Sequence, residues 1–248
     1  MTLDASVQLG DPDPHAQALW DFARSHHREP FHYVRSDGHA ASYDISRRFG
    51  AIDGFSPQDA HITGAASGRT LDVGCGAGKH VAALHDRGVA AVGIDIAPLA
   101  VAAARHTGVR DVALMDAFRL GLRTGAFDCV MLYSNGLSIG GSVGGVRRLL
   151  DELARVTRPG GRLLMTNTDV TASPYEHDQA YQQANLVVGR PRGLVRMRCR
   201  YGDREGPWFD WLFVAPDDLP ELTRRTAWRV GPIQQFPAGA YAATLDRM

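Results

Sequence analysis

Residues 71–78 read Leu71-Asp72-Val73-Gly74-Cys75-Gly76-Ala77-Gly78. The stretch joins an apolar strand-like run, RTLDVG, to a helix-like run from Gly78 to Arg87 whose Val81, Leu84 and His85 share a face. Glycines at such a junction let the backbone take positive φ and approach a ligand closely. The helix N-terminus behind them presents free N–H groups and a positive dipole end, so a carboxylate or a phosphate would bind there. The spacing is G-x-G-x-G, whereas the dinucleotide fingerprint is G-x-G-x-x-G.

Working outward, strand-like and helix-like runs alternate. AAVGID (90–95) is a second strand, and Pro98 to His106 an alanine-rich helix with proline near its start. DVALMD (111–116) is a third strand, FDCVMLYS (127–134) a fourth, and GRLLMTNTD (161–169) a fifth. The fourth is continuously apolar, as strands covered on both faces are. VRRLLDELARVT (146–157) is an amphipathic helix stopped by Pro159-Gly160-Gly161. This order predicts an α/β fold, a doubly wound, Rossmann-like, mostly parallel sheet. Asp95 ends the second strand, where its two acceptor oxygens can take both hydroxyls of a ribose.

The flanks differ. Residues 15–28 have helical spacing, and residues 29–66, broken by Gly38, Gly50, Gly54 and Pro57, read as short helices and loops. Residues 1–66 are therefore expected to form an N-terminal helical cap or lid on a domain spanning 67–248. LVRMRCRYGD (194–203) and PWFDWLFVAP (207–216) look like an antiparallel pair, and AWRVGPIQQF and GAYAATLD like the last strands, giving an antiparallel C-terminal edge. Arg196, Arg198 and Arg200 alternate, as one face of a strand would.

Composition narrows the function. The 248 residues carry 27 basic and 27 acidic side chains, which lacks the basic footprint of a nucleic-acid binder. The three cysteines, Cys75, Cys129 and Cys199, have no metal-ligand or disulfide spacing, and no metal is expected. The N-terminal run MTLDASVQLGDPDPH lacks the features of a signal peptide, and no apolar run approaches the roughly 20 residues that span a bilayer. A cytoplasmic monomer or homodimer with a small-molecule partner and neither nucleic-acid nor membrane partner is the expectation.

LDVGCGAGKH, VGIDIAP, MDAF, FDCVMLYSNG and TRPGGRLLMTN resemble, in order and spacing over residues 69–169, the successive motifs of class I S-adenosylmethionine-dependent methyltransferases. The resemblance implies S-adenosylmethionine as cofactor and S-adenosylhomocysteine as product. It implies that Asp72, Gly74, Cys75, Gly76 and Gly78 hold the methionine part. Asp95 would bind the ribose with Ile96 beside the adenine, and Asp116 would meet the adenine amino group with Ala117 and Phe118 alongside. Tyr133, Ser134 and Asn135 would line the methyl-donor cavity. The whole chain also resembles an actinobacterial-type subgroup of mostly unassigned substrate, through the Gly-rich run Ser134 to Gly141 and Pro207-Trp208-Phe209-Asp210.

Methyl transfer from a sulfonium chiefly needs alignment and exclusion of water, with a base where the acceptor is a phenol, amine or acidic carbon. Tyr43, Asn135 and His177 are the acceptor-side candidates, and His80 a further candidate base. Phe209 and Trp211 read as core packing, with Trp208 and Asp210 open. The acceptor pocket is expected between the segment around Tyr43, the fourth-strand loop at Asn135 and the pair around Trp208. The resulting expectation is a small-molecule methyltransferase, with natural-product biosynthesis as one setting. The alternative is an enzyme of the same cofactor that cyclises it or transfers its aminocarboxypropyl part.

Overall fold

The computed structural model describes residues 13–248. The chain runs α1 (Pro14–Ser25), β1 (Phe31–Arg35), β2 (Ala40–Ser42), α2 (Pro57–Ala65), β3 (Thr70–Val73), α3 (Lys79–Asp86), β4 (Ala91–Asp95), α4 (Pro98–His106) and β5 (Val112–Leu114). It continues with β6 (Phe127–Leu132), α5 (Val143–Val156), β7 (Thr157–Thr168), α6 (Glu176–Val187), β8 (Leu194–Tyr201) and β9 (Arg204–Glu205). It ends with β10 (Phe209–Leu212), α7 (Leu219–Thr223), β11 (Trp228–Gln235) and β12 (Ala240–Arg247).

The main sheet has seven strands in the order β11-β12-β7-β6-β3-β4-β5. Five are parallel; β12 joins β7 antiparallel and β11 returns along it. The Rossmann-like sheet and its antiparallel C-terminal edge are thus as the sequence predicts. All four residues of β3 are buried, and β6 is buried at five of six positions, because helices cover both faces. On one face α5 packs Val146, Leu149, Leu150 and Leu153 into the core, and Ser142 caps it by accepting from the Gly145 N–H. On the other, Ile62 of α2, Val81 and Leu84 of α3 and Val101 and Ala104 of α4 share a cluster. Strand order reverses between β3 and β6, so ligands are expected at the carboxyl ends of those two strands.

The flanking segments correct the reading of residues 29–66. They are not only short helices and loops: β1 and β2 are strands. β1 pairs with β8, Tyr33 opposite Cys199, and β8 pairs with β10 on its other side. The antiparallel pair expected at 194–216 therefore forms, but in a second sheet, β10-β8-β1-β2, and not at the edge of the main one. The five residues of β1 hold too little alternation to mark a strand, and the partner that completes it lies some 160 positions along the chain, as the Tyr33–Cys199 register shows. α1 anchors this sheet to the domain: Ala18 and Leu19 pack against Ala100 and Ala103 of α4, alongside Phe31, Cys199 and Tyr201. α6 carries no apolar stripe, since its buried residues are Gln182 and Asn185.

Candidate functional site

A cavity of about 1040 Å³ opens between the carboxyl ends of β3, β4 and β6 and the second sheet. Its floor is the glycine loop. Gly74, Gly76 and Gly78 all have positive φ, at 74°, 55° and 79°. They divide by role. A Cβ on Gly74 would meet nothing within 4 Å and one on Gly76 only Leu19 Cδ1 at 3.8 Å, so both leave room for a ligand. A Cβ on Gly78 would meet Ala104 and Val109 at 3.1 Å, so this glycine serves the packing of α3 against α4.

Asp95 is tied down by the loop it serves. One carboxylate oxygen accepts from the Gly76 N–H and the other from the Ala97 N–H, both at 2.9 Å. Each oxygen keeps a second lone pair for a ligand hydroxyl. Burial holds its carboxyl above the ordinary range, against the pull of those backbone donors. The Met115 N–H donates to the Asp95 carbonyl, which sets the next turn beside Ile96. In that turn Asp116 accepts from the Phe118 N–H at 2.8 Å. Ile96 is 68% exposed, an apolar surface next to a polar strand end. Ile96, Asp116, Ala117 and Phe118 lie outside the cavity lining, and Ala117 and Phe118 pack on the core.

Beneath the loop, Asp72 is fully buried and neither of its oxygens has a hydrogen-bond partner among the described residues. Burial, then the nearby Asp95 and Asp59, push its carboxyl up to about 8. Between the unfolded value near 4 and about 8, the folded protein holds a proton that the unfolded chain has lost, so this residue lowers stability as pH rises through that window. The cofactor-free protein is therefore expected to melt at falling temperature from about pH 5 to 8, and Asp72→Asn to be more stable and flatter across that range. Paired thermal melts test it; parallel profiles for the two proteins would show that Asp72 is not the source.

At the end of β6, Ser134 and Asn135 both have positive φ, at 51° and 65°. Asn135 Oδ1 accepts from the Thr168 N–H at 2.6 Å, and the Ser134 N–H donates to Thr166 Oγ1. Thr166 donates in turn to Asp59, which α2 supplies from before the core. The Tyr133 hydroxyl bonds Thr63 at 2.8 Å, and its ring stacks on His80 at 3.5 Å. His80 Nε2 is buried and unpartnered among the described residues, 3.9 Å from Asp59. Burial drives its pKa well below the usual value, so it is a neutral imidazole.

The cavity thus gathers Gly74, Cys75, Gly76, Asp95, Tyr133, Ser134 and Asn135 with Tyr43 from the N-terminal segment. It does not gather His177, which lies outside the lining with its ring stacked at 4.2 Å on His39, itself a lining residue like Asp178. Phe209 and Trp211, read from the sequence as core, are cavity wall. Trp208 is 39% exposed beneath Arg198, and Asp210 faces Arg196, both outside that lining. Residues with no sequence motif also contribute: Asp59, Arg48 and His15 line the same space. Among the described residues no group of three or more His, Cys, Asp or Glu is placed to hold a metal.

A parallel sheet with a glycine loop, a ribose-competent acid and an orphaned buried carboxylate defines a nucleoside-cofactor domain. Asp72 itself lies outside the cavity lining, beneath the loop, while Gly74, Gly76 and Asp95 face the cavity. Residues 71–165 match the model of a family described as a methyltransferase domain. The fold around that match is the Rossmann-like methyltransferase fold. It is 38% identical over 166 residues to a demethylmenaquinone methyltransferase from Beutenbergia cavernae, a match covering 65% of each protein, so just under two thirds of that relative's length is spanned. Its fold is similar to that of an S-adenosylmethionine-dependent methyltransferase from Bacteroides fragilis in complex with S-adenosylhomocysteine. The TM-score is 0.82 at 24% identity, covering 95% of this chain and 94% of that one. The CcbJ methyltransferase of Streptomyces caelestis aligns with TM-score 0.60 and 13% identity, over 81% of this chain and 99% of its own.

Proposed function

We propose that the protein transfers the methyl group of S-adenosylmethionine to a small molecule held between the glycine loop and the second sheet. The observation that carries this reading is the continuity of the cavity. The same space is lined by Gly74, Gly76 and Asp95 below and by Tyr33, Tyr43, Phe209 and Trp211 above. Bound there, S-adenosylmethionine would supply a methyl group already activated on a sulfonium.

The chain's own task is then alignment and exclusion of water. Asp95 is the group to hold the ribose hydroxyls, and the loop at Gly74 and Gly76 the part to hold the methionine moiety. Ile96 and the Asp116–Phe118 turn are the adenine shelf. Asn135, clamped by the Thr168 N–H, keeps its amide NH2 free to orient an acceptor oxygen or nitrogen. The segment before the core and the β8–β10 pair act together as the lid, because β1 and β8 are one sheet. The aromatic walls suit a planar acceptor, and the name of the Beutenbergia relative points to a quinone-type ring as one member of that class. Natural-product tailoring is a second setting compatible with such a pocket.

Incubation with S-adenosylmethionine and candidate acceptors, followed by product analysis, tests the reading. S-adenosylhomocysteine and a methylated acceptor are expected. Methylthioadenosine in their place would establish cyclisation or aminocarboxypropyl transfer, since the same cofactor contacts serve both.

A further inference from the structure

We propose that the methyl acceptor is an anion, and that Arg48 binds its carboxylate or phosphate group. This rests on the methyl-transfer reading and names the substrate class for the same cavity. Five lysine or arginine side chains line that space: Arg35, Arg47, Arg48, Lys79 and Arg192. Arg35 is neutralised by Asp37 at 2.8 Å and Asp178 at 2.6 Å. The other four form no ion pair among the described residues. Lys79 donates to the Arg47 carbonyl at 2.9 Å and sits 4.7 Å from the Phe55 ring centre. Arg47 and Arg192 are exposed at the rim. Arg48 lies deeper, 4.8 Å over the Tyr43 ring, with its Nε shut off from solvent and without a partner.

No acid of the cavity forms an ion pair with Arg48 or Lys79, although the nearby charge of Asp59 favours the charged form of both. Asp13 caps α1, Asp95 takes two backbone N–H groups, and Asp59 takes the Thr166 hydroxyl. Nor does the cofactor answer these charges. S-adenosylmethionine carries a sulfonium and an ammonium against one carboxylate, so it adds a net positive charge. Its carboxylate can answer one cation and leaves the rest unanswered. Unpaired charge in a shielded cavity is costly, and an anionic acceptor is the missing partner. A guanidinium is suited to that role, because its planar fork binds carboxylate or phosphate with two parallel hydrogen bonds. His15, which also lines the cavity, leaves its buried Nε2 without a partner next to this group, and burial followed by the charge of Arg48 lowers its pKa to about 3. It therefore stays neutral and does not compete for the anion. Arg196, Arg198 and Arg200 lie off this surface; Arg198 pairs with Glu205 at 2.7 Å, while Val195, Met197 and Cys199 of the same strand line the cavity.

The test is calorimetry on the full chain saturated with S-adenosylhomocysteine, using benzoate, phenyl phosphate and neutral benzamide as probes. At least one anion is expected to bind about tenfold or more tightly than benzamide, the scale of one charge-assisted hydrogen bond. That preference should vanish in Arg48→Gln and persist in Arg48→Lys and in Arg196→Gln, a charge removed from outside the cavity. The proposal is overturned if benzamide binds as well as the anions, if neither anion binds, or if Arg48→Gln keeps the preference. It is also overturned if Arg48→Gln loses S-adenosylhomocysteine instead, which would assign the arginine to the cofactor. A wild-type chain that fails to bind S-adenosylhomocysteine at all would be a different result, overturning the methyl-transfer reading on which this one stands.

Discussion

Asp95→Ala is expected to weaken S-adenosylhomocysteine binding by about two to four orders of magnitude in Kd, with the fold retained. Two ribose hydroxyls would each lose a hydrogen bond to a charged acceptor, worth roughly 1.5–3 kcal/mol apiece. A second effect runs through the protein. The carboxylate also bonds the Gly76 and Ala97 N–H groups, so its removal frees the loop that meets the methionine part. Asp95→Asn should fall between, since one amide oxygen remains an acceptor while the NH2 faces a backbone donor. Calorimetry with S-adenosylhomocysteine measures both. Unchanged affinity in a folded Asp95→Ala protein would mean that another group holds the ribose.

Gly145→Ala should destabilise the protein by about 3 kcal/mol, at the upper end for overpacking, even though alanine is the better helix former by about 1 kcal/mol. The added Cβ would sit 1.8 Å from the Gly140 carbonyl oxygen and 2.8 Å from its carbon. Backbone cannot yield as a flexible side chain does. A Cβ on Gly140 meets the Val146 backbone in return, at 2.5 Å, so two glycines are needed for the short helix at 136–140 to pack against the start of α5. That short helix follows Asn135, so its displacement would also disturb the cavity floor. For a chain of this length the loss corresponds to about 6–12 °C in melting temperature. Gly144→Ala is the control: its Cβ meets only an Arg148 side-chain nitrogen at 3.9 Å, and it should hold or raise the melting temperature. Equal melting of the two variants would remove the close-approach argument.

Of the proposed cofactor half, the glycine loop and Asp95 are legible because their signals are local, while Asp72, Gly78, Ile96 and the Asp116–Phe118 turn lie outside the cavity lining. Gly74, Gly76 and Asp95 each sit where a strand ends, and the strand is visible from its own apolar run. The acceptor half was less so. Tyr43 and Asn135 do line the cavity, but His177, which follows the fifth strand, stops one side chain short of it, stacked on the lining residue His39. Phe209 and Trp211 look like core residues because a cavity wall and a core impose the same apolar character on one face of a strand. Arg48 and Asp59 belong to no motif; only a fold that lays their segment over the loop gives them a role.

The residues from Arg69 to Asp169 determine by themselves a parallel α/β sheet, the position of its glycine loop and the acid beside it, because alternation, caps and glycine φ are properties of neighbouring residues. The tertiary structure alone decided what covers that sheet. β1 becomes a strand only against β8, from the far end of the chain, and the segments packed with that sheet bring Arg48, His15 and Trp211 to one cavity. Short strands carry too little periodicity to specify themselves, and hydrogen bonds to a distant partner supply the rest.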